Sequence, residues 1–331
     1  MNTRTHDLIS LGEPLLRLSP PRNALLRCAA SLDVMPAGSQ MNVAANLALL
    51  GWRTALLTKL PDNVLGQLMR DACRGYGVDV SHVQMVPDAK MGLTFVEFAA
   101  APRTPLAVYD RAGSAASTIG PADFDWDSLL PATEYAYTDG IFPALSDSCR
   151  AAAGAFVSSA KKAGCVVVFD VNYRRHLCSP EQARAIVEPL LAQVDVAVVN
   201  RDVCENLFSL AGDDERLVRA VHGRFGCQVV CLTSRQTFGG QRGMWNSLAL
   251  DGGEVLEGKA QRFDVVDRYG TGDAWLAAFL YARRLKGTAY ALSFANAALA
   301  LAHTVFGDVV RFTPEQIEAV MDGRASPNPQ R

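Results

Sequence analysis

The chain reads as an α/β protein with a mostly parallel sheet and a small separate β lid. Three observations predict this. Short apolar runs alternate with helix-length amphipathic segments over most of the 331 residues. Two stretches, about 13–36 and 91–113, replace that rhythm with short apolar–polar alternation punctuated by Pro and Gly. Towards the C-terminus a small-residue turn, Gly270-Thr271-Gly272, leads through Asp273 straight into the apolar run Ala274 to Ala282.

The strand candidates, in order, are Leu8 to Leu11, Ala55 to Thr58, Ala136 to Thr138, Val166 to Val171, Val194 to Asn200 and Val229 to Thr233. Helical patterns lie between them: Met41 to Leu50, Val64 to Tyr76, Ser146 to Ala163, Pro180 to Leu191 and Asp213 to Phe225. Apolar strands separated by helices indicate βαβ units and a parallel sheet covered on both faces. Ligands of such sheets gather at the C-terminal ends of the strands. In the lid, Leu93-Thr94-Phe95-Val96-Glu97-Phe98 alternates as a half-exposed strand does. We expect one domain over 1–316 that includes the lid. A C-terminal tail over 317–331 follows, and its Gly- and Pro-containing end is expected to be disordered. There is no internal repeat.

Composition excludes several functions. The chain is 49% hydrophobic and 20% charged, with a formal net charge of -2. Both signs are interspersed, so there is no electrostatic footprint for nucleic acid or an anionic membrane. The polar start does not resemble a signal peptide, and no apolar run has the length of a membrane span. The eight cysteines contain no Cys-x-x-Cys pair, and several sit in apolar runs such as Cys165-Val166-Val167-Val168. That is the pattern of reduced, buried thiols in a cytoplasmic protein. No histidine pair stands near Cys227 and Cys231 to complete a zinc site.

Two turns carry chemistry. At Gly270-Thr271-Gly272 a helix start offers unpartnered N–H groups and partial positive charge, and glycine lets an anion approach the backbone. A carboxylate beside that anion site, Asp273, suits removal of a proton from a hydroxyl that attacks a phosphoryl group. The spacing by itself is also that of an ordinary capping aspartate. The second turn is Ala37-Gly38-Ser39-Gln40-Met41-Asn42, where Gly38 permits a sharp strand-to-helix turn and Asn42 offers a donor and an acceptor. His6, His82, His222 and His303 form no cluster, and His303 reads as a packed helix histidine.

Taken together, these segments resemble the ribokinase-like (PfkB) carbohydrate kinases over about residues 8–315. The resemblance implies a three-layer α/β/α sandwich with a β lid, ATP and Mg²⁺ as cofactors, a small sugar as substrate, and a homodimer through the lid. The family signature Asp-x-x-Gly-Ala-Gly-Asp reads here Asp267-Arg268-Tyr269-Gly270-Thr271-Gly272-Asp273, which makes Asp273 the catalytic base and Gly270, Thr271 and Gly272 the anion hole. Gly38 and Asn42 fall on the family's sugar-binding turn, and Ser39 stands where a second glycine is expected. Within the family, Gly12-Glu13-Pro14-Leu15, Tyr109 to Ala115, Gly140 to Ser146 and Asp170 to Arg174 are most similar to 2-keto-3-deoxygluconate kinases. A keto-acid sugar carries a carboxylate, the usual partner of a guanidinium. Arg111 and Arg174 are therefore expected to hold it, with Tyr109 alongside; fructokinases also carry an arginine at the position of Arg174, which therefore marks the sugar site without choosing the sugar. Asp170 and Asn172 are expected to support the site.

The nucleotide side departs from the family pattern. The family's Asn-x-x-Glu is Asn200-Arg201-Asp202-Val203, with Glu205 two residues on. The strand and Gly-x-x-Gly turn read Thr233-Ser234-Arg235-Gln236-Thr237-Phe238-Gly239-Gly240, without the first glycine. Arg268 and Tyr269 replace small residues, and Trp275 stands where Phe is usual. By resemblance the nucleotide is expected to meet Asn200, Glu205, Thr233, Arg268 and Asn296. Valine cannot ligate a metal, so no protein ligand to Mg²⁺ is assigned; Arg268 or Arg235 would add positive charge at the phosphates. Two other readings stay open: a fructokinase or other neutral-sugar kinase, and a sugar-binding protein with an impaired nucleotide site. A dinucleotide-dependent oxidoreductase is disfavoured, because no Gly-x-Gly-x-x-Gly follows the first strand.

Overall fold

The computed structural model describes residues 4–100, 102–238 and 241–324. The chain begins β1 (His6–Leu11), β2 (Leu15–Ser19), β3 (Asp33–Ala37), α1 (Ser39–Leu49), β4 (Thr54–Pro61), α2 (Val64–Gly75) and β5 (Val83–Val86). It continues with β6 (Leu93–Glu97), β7 (Leu106–Asp110), α3 (Trp126–Leu129), β8 (Thr133–Asp139), α4 (Asp147–Ala163), β9 (Val166–Asp170), α5 (Pro180–Leu191) and β10 (Val196–Asn200). Then come α6 (Asp214–Phe225), β11 (Val229–Thr237), β12 (Arg242–Asp251), β13 (Glu254–Glu257), β14 (Gln261–Asp264), α7 (Thr271–Lys286), α8 (Thr288–Ala302) and α9 (Pro314–Met321).

The main sheet has the order β13-β12-β11-β10-β9-β8-β1-β4-β5, with β14 paired to β12. Its strands from β11 to β5 are parallel, and β12, β13 and β14 join antiparallel. Because successive side chains point to opposite faces, adjacent apolar residues feed two cores. Leu8, Tyr137, Val168 and Val198 pack with α1, α7 and α8 on one face. Ile9, Ala136, Phe169 and Val199 pack with α4, α5 and α6 on the other. The result is a three-layer α/β/α sandwich. Local signals end the helices where the chain demands it. The Ser146 side chain accepts from Cys149 N–H at the start of α4, and Gly164 ends it in the left-handed conformation at φ 78°. Ser179 and Gln182 form a capping box ahead of α5, with Pro180 at its first position.

The lid is a separate sheet of order β3-β2-β6-β7, built from the two stretches whose alternation marked them. Three features differ from the sequence reading. Strand β11 runs on to Thr237 because β12 pairs with it along its whole length. The hairpin strands β12–β14, missing from the expected elements, extend the sheet. Helix α9 spans the boundary placed at 316 and buries Ile317 against the body. The expected disorder of the tail falls on 325–331, outside the described residues, as do Gly239 and Gly240 of the expected nucleotide turn. Among the described residues no helix is long and apolar enough to cross a membrane.

Candidate active site

The C-terminal ends of β8 and β9, the starts of α1 and α7, and the inner face of the lid enclose a cavity of about 330 Å³. Helix α7 starts from Gly270, whose φ of 70° is left-handed, and a Cβ there would lie 2.2 Å from the Asp308 carbonyl oxygen. Only glycine fits. The first intrahelical bond is Ala274 N–H to Gly270 C=O at 2.9 Å, so the N–H groups of Thr271, Gly272 and Asp273 precede the ladder. A Cβ at Gly272 would meet nothing, which leaves bare backbone beside Asp273. Gly38 begins α1 in the same way: φ is 128°, and a Cβ would lie 2.6 Å from the Glu13 carbonyl oxygen of the lid stem.

These two helix starts meet at one carboxylate. Asp273 Oδ1 accepts from Ser39 Oγ and Oδ2 from Asn42 Nδ2, both at 2.7 Å. Ser39 Oγ also lies 3.0 Å from the buried Tyr137 hydroxyl. Burial pushes the Asp273 carboxyl up to about 6, while the hydrogen bonds from Asn42 and Ser39 pull it down. Around it stand three further carboxylates. Asp139, at the end of β8, accepts from Gln40 Nε2 and from Asn172 Nδ2 (2.9 Å), and burial raises it. Burial and the charge of Asp139 raise Asp170 to about 7. Burial raises Asp308 to about 7 against the pull of Arg17. Asp170 and Asn172 thus brace the site, with Asn172 held at a φ of 38°.

The two arginines expected at a substrate carboxylate are not equivalent. The Nε and Nη2 groups of Arg111 both donate to Glu13 Oε2, and Ser114 Oγ donates to the other Glu13 oxygen. Glu13 is 2% exposed, so this pair closes the lid stem and occupies much of the Arg111 fork. Tyr109 lies against it, its ring 5.8 Å from the guanidinium carbon. Arg174 lines the same cavity, makes no ion pair among the described residues, and its charge draws on Asp170 and Asp273. Its neighbour Arg175 is turned to Asp202 at 3.0 Å.

The residues expected at a nucleotide are more scattered. Asn200 is exposed at the end of β10, and its Oδ1 caps Val203 N–H at 2.8 Å. Val203 opens a π-helical turn and is 2% exposed, facing the core. Glu205 pairs with Arg201 at 2.8 Å on the surface. Thr233 is buried, with its hydroxyl 3.4 Å from the Val199 carbonyl. Arg268 is exposed beside the glycine turn. Asn296 lies inside the body. It is fully buried, its oxygen accepting from Trp275 Nε1 (2.9 Å) and Ser247 Oγ (2.7 Å), its nitrogen donating to the Lys259 carbonyl (3.1 Å). It is a scaffold residue of α8, and it explains the tryptophan at 275. His303 is buried and stacked on Phe263 at 3.9 Å, and burial lowers it to about 4.

Sequence reasoning missed Arg17, Gln40 and Asp308, which also line the cavity. Arg17 sits in the alternation Leu16-Arg17-Leu18, which marks it as surface rather than buried. Asp308 follows Gly307 in a loop, with no local pattern to single it out.

Comparison with known proteins places this geometry. The model of the pfkB family carbohydrate kinases matches residues 11–313. The 2-dehydro-3-deoxygalactonokinase of Haloferax volcanii is 37% identical over 96% of this chain and 98% of its own length. The 2-dehydro-3-deoxygluconokinase of Thermoproteus tenax is 34% identical over 91% of this chain and 90% of its own. The crystal structure of 2-dehydro-3-deoxygluconokinase from Thermotoga maritima superposes with a TM-score of 0.92 at 29% identity, covering 98% of this chain and 100% of that one. The ribokinase-like fold, the lid and the ordered motifs therefore have one source, and the chain belongs to the pfkB family of carbohydrate kinases.

Proposed function

We propose that the chain transfers the γ-phosphoryl group of ATP to the primary hydroxyl of a 2-keto-3-deoxy sugar acid, 2-keto-3-deoxygluconate first. The observation that carries this is one cavity faced by both Asp273, at a helix start, and Arg174, which makes no ion pair among the described residues. The names of the relatives at 37% and 34% identity point to the same substrate class.

Asp273 accepts the proton of the attacking hydroxyl, held for it by Ser39 and Asn42. The N–H groups of Thr271, Gly272 and Asp273 meet charge that develops on the group in transfer. Arg174 takes the substrate carboxylate in paired hydrogen bonds, with Tyr109 at its side. Arg111, pinned by Glu13, shapes that end of the cavity. The open backbone at Gly272 suits a phosphate. Mg²⁺ would arrive on the nucleotide, bridging its phosphates. Arg268 is the exposed cation nearest the turn in sequence; Asn200 ends β10 and pairs in register with Thr233 inside β11.

A second reading within the class, the galactonate epimer, is favoured by the Haloferax volcanii relative. We also read the lid as the interface of a homodimer. Val34, Leu18, Phe95 and Val108 pair in register across its strands as one apolar row, with Val34 47% and Val108 48% exposed. The free thiols, most of them buried, agree with a cytoplasmic setting.

The test is ADP release with Mg-ATP on 2-keto-3-deoxygluconate, its galactonate epimer, fructose, ribose and gluconate. Turnover of the keto acids is expected, and Asp273→Asn should lower it by roughly 10²- to 10⁴-fold. Turnover of fructose alone would leave a neutral-sugar kinase. Silence across the panel, with calorimetric sugar binding intact, would leave a sugar-binding protein.

A further inference from the structure

Lid and body meet at a buried arginine. Arg17, in the middle of β2, is 0% exposed. Its Nη2 donates to Asp267 Oδ2 at 2.7 Å, and its Nη1 lies 2.6 Å from Asp308 Oδ1. The guanidinium is 5.5 Å from the Phe98 ring and 5.4 Å from the Tyr269 ring. Phe98 in turn meets Tyr269 and Phe306 edge-on. Arg17 and Phe98 come from the lid sheet or its immediate edge. The other partners belong to two body loops, one running into the Gly270 turn and one ending at Asp308.

Both aspartates pass this contact inward. Asp267 accepts from Tyr269 N–H at 2.9 Å and from Gly307 N–H at 3.1 Å, tying the two loops together. The Asp308 backbone packs on Gly270, and its carboxylate accepts from Asn42 Nδ2 at 3.3 Å. The same amide group donates to Asp273. Three contacts therefore lead from the lid strand to the carboxylate, through Asp308 and Asn42, and two to the glycine turn, through Asp308. The aromatic at 269, out of place in the family signature, supplies the ring face on which the guanidinium rests.

Apolar side chains would close such a seam without the desolvation of three charges. We propose that Arg17 is a positioning residue, which couples the seating of the lid to the placement of the Gly270–Gly272 turn and of Asp273; this rests on the reading of Asp273 as base. The charged and titratable groups facing Asp273 are Asp139, Asp170, Arg174, Asp308 and the Tyr137 hydroxyl. Those facing Arg17 are Asp267, Asp308 and the Tyr269 phenol. Loss of one positive charge from this set raises the proton affinity of the carboxylates that remain.

The experiment uses full-length Arg17→Gln and Arg17→Lys. It measures kcat and KM for the keto acid over about pH 5 to 9, with amide exchange at Tyr269 and Gly307. Arg17→Gln should lower kcat roughly 10- to 100-fold and move the acid limb of kcat/KM upward by about half a pH unit or more. Arg17→Lys should return the limb to its original position. Its kcat should stay several-fold low and exchange at both amides should be faster, because an ammonium does not span two carboxylates as a planar fork does. A folded Arg17→Gln with unchanged kcat and limb overturns the proposal. If Arg17→Gln does not fold, wild-type kcat and exchange in Arg17→Lys overturn it instead. Retained turnover in Asp273→Asn would remove the base itself, whatever the Arg17 variants do.

Discussion

Asp273 holds its proton more tightly than a free carboxylate because burial outweighs the two hydrogen bonds it receives. As a base it must be ionised, so kcat/KM should fall as pH drops through about 6. Ser39 bonds to the charged form and holds the carboxyl down. Ser39→Ala should therefore shift that limb upward by about one unit, the lower end of what a hydrogen bond to a charged group is worth. Activity should drop at pH 6 and change little at pH 8. A limb that stays in place would show that Ser39 only fills space. The serine was visible in the sequence as a departure from the family's glycine, but its partner lies 234 residues away. The same distance problem hid the pairing of Arg111. Its charge, type and place near the lid's end were legible, whereas its commitment to Glu13 is a fact of folding.

At the scale of elements, the π-helical turn after β10 decides how position 203 must be read. The family resemblance puts Val203 at the glutamate position of Asn-x-x-Glu, where a carboxylate is expected at the nucleotide. In the structure Val203 is 2% exposed among the residues of the second core, and Asn200 caps its N–H. A glutamate there buries an unpaired charge. We expect Val203→Glu to destabilise the protein by at least about 3 kcal/mol, read as a lower urea midpoint. Unchanged stability with tighter nucleotide binding would mean that the turn rewinds to present the new side chain. Most elements were legible, since parallel strands buried on both faces are continuous apolar runs. The strands β12–β14 were not, because β13 and β14 have only four residues each and β12, though ten long, mixes polar residues into its run and takes its place by pairing with β11.

For the whole molecule, the lid has two faces with different tasks. The inner face supplies Arg17, Tyr109 and Arg111 to the cavity. The outer row of Val34, Leu18, Phe95 and Val108 is apolar and is the surface we propose for a second copy. Val108→Asp should shift the protein from dimer to monomer in sedimentation while leaving its fold intact, since Val108 is 48% exposed in the single chain. A monomeric parent, or a dimer untouched by the change, would remove the lid as the interface.

The sequence by itself determined the α/β class, the lid segments, the glycine turns and the identity of the candidate base. These are local: periodicity, punctuation and the demand for φ above zero are written within a few residues. Tertiary structure alone decided which charges are free. Among the described residues Arg174 has no ion-pair partner, whereas Arg111 is closed by Glu13. Asn296 is drawn into the core by Trp275 and Ser247, and Arg17 is carried from an alternating surface-like strand into the seam beside Asp308. The physical reason is that a side chain's charge and hydrogen-bonding capacity are properties of its type, while its partners are set by distant segments brought together in the fold.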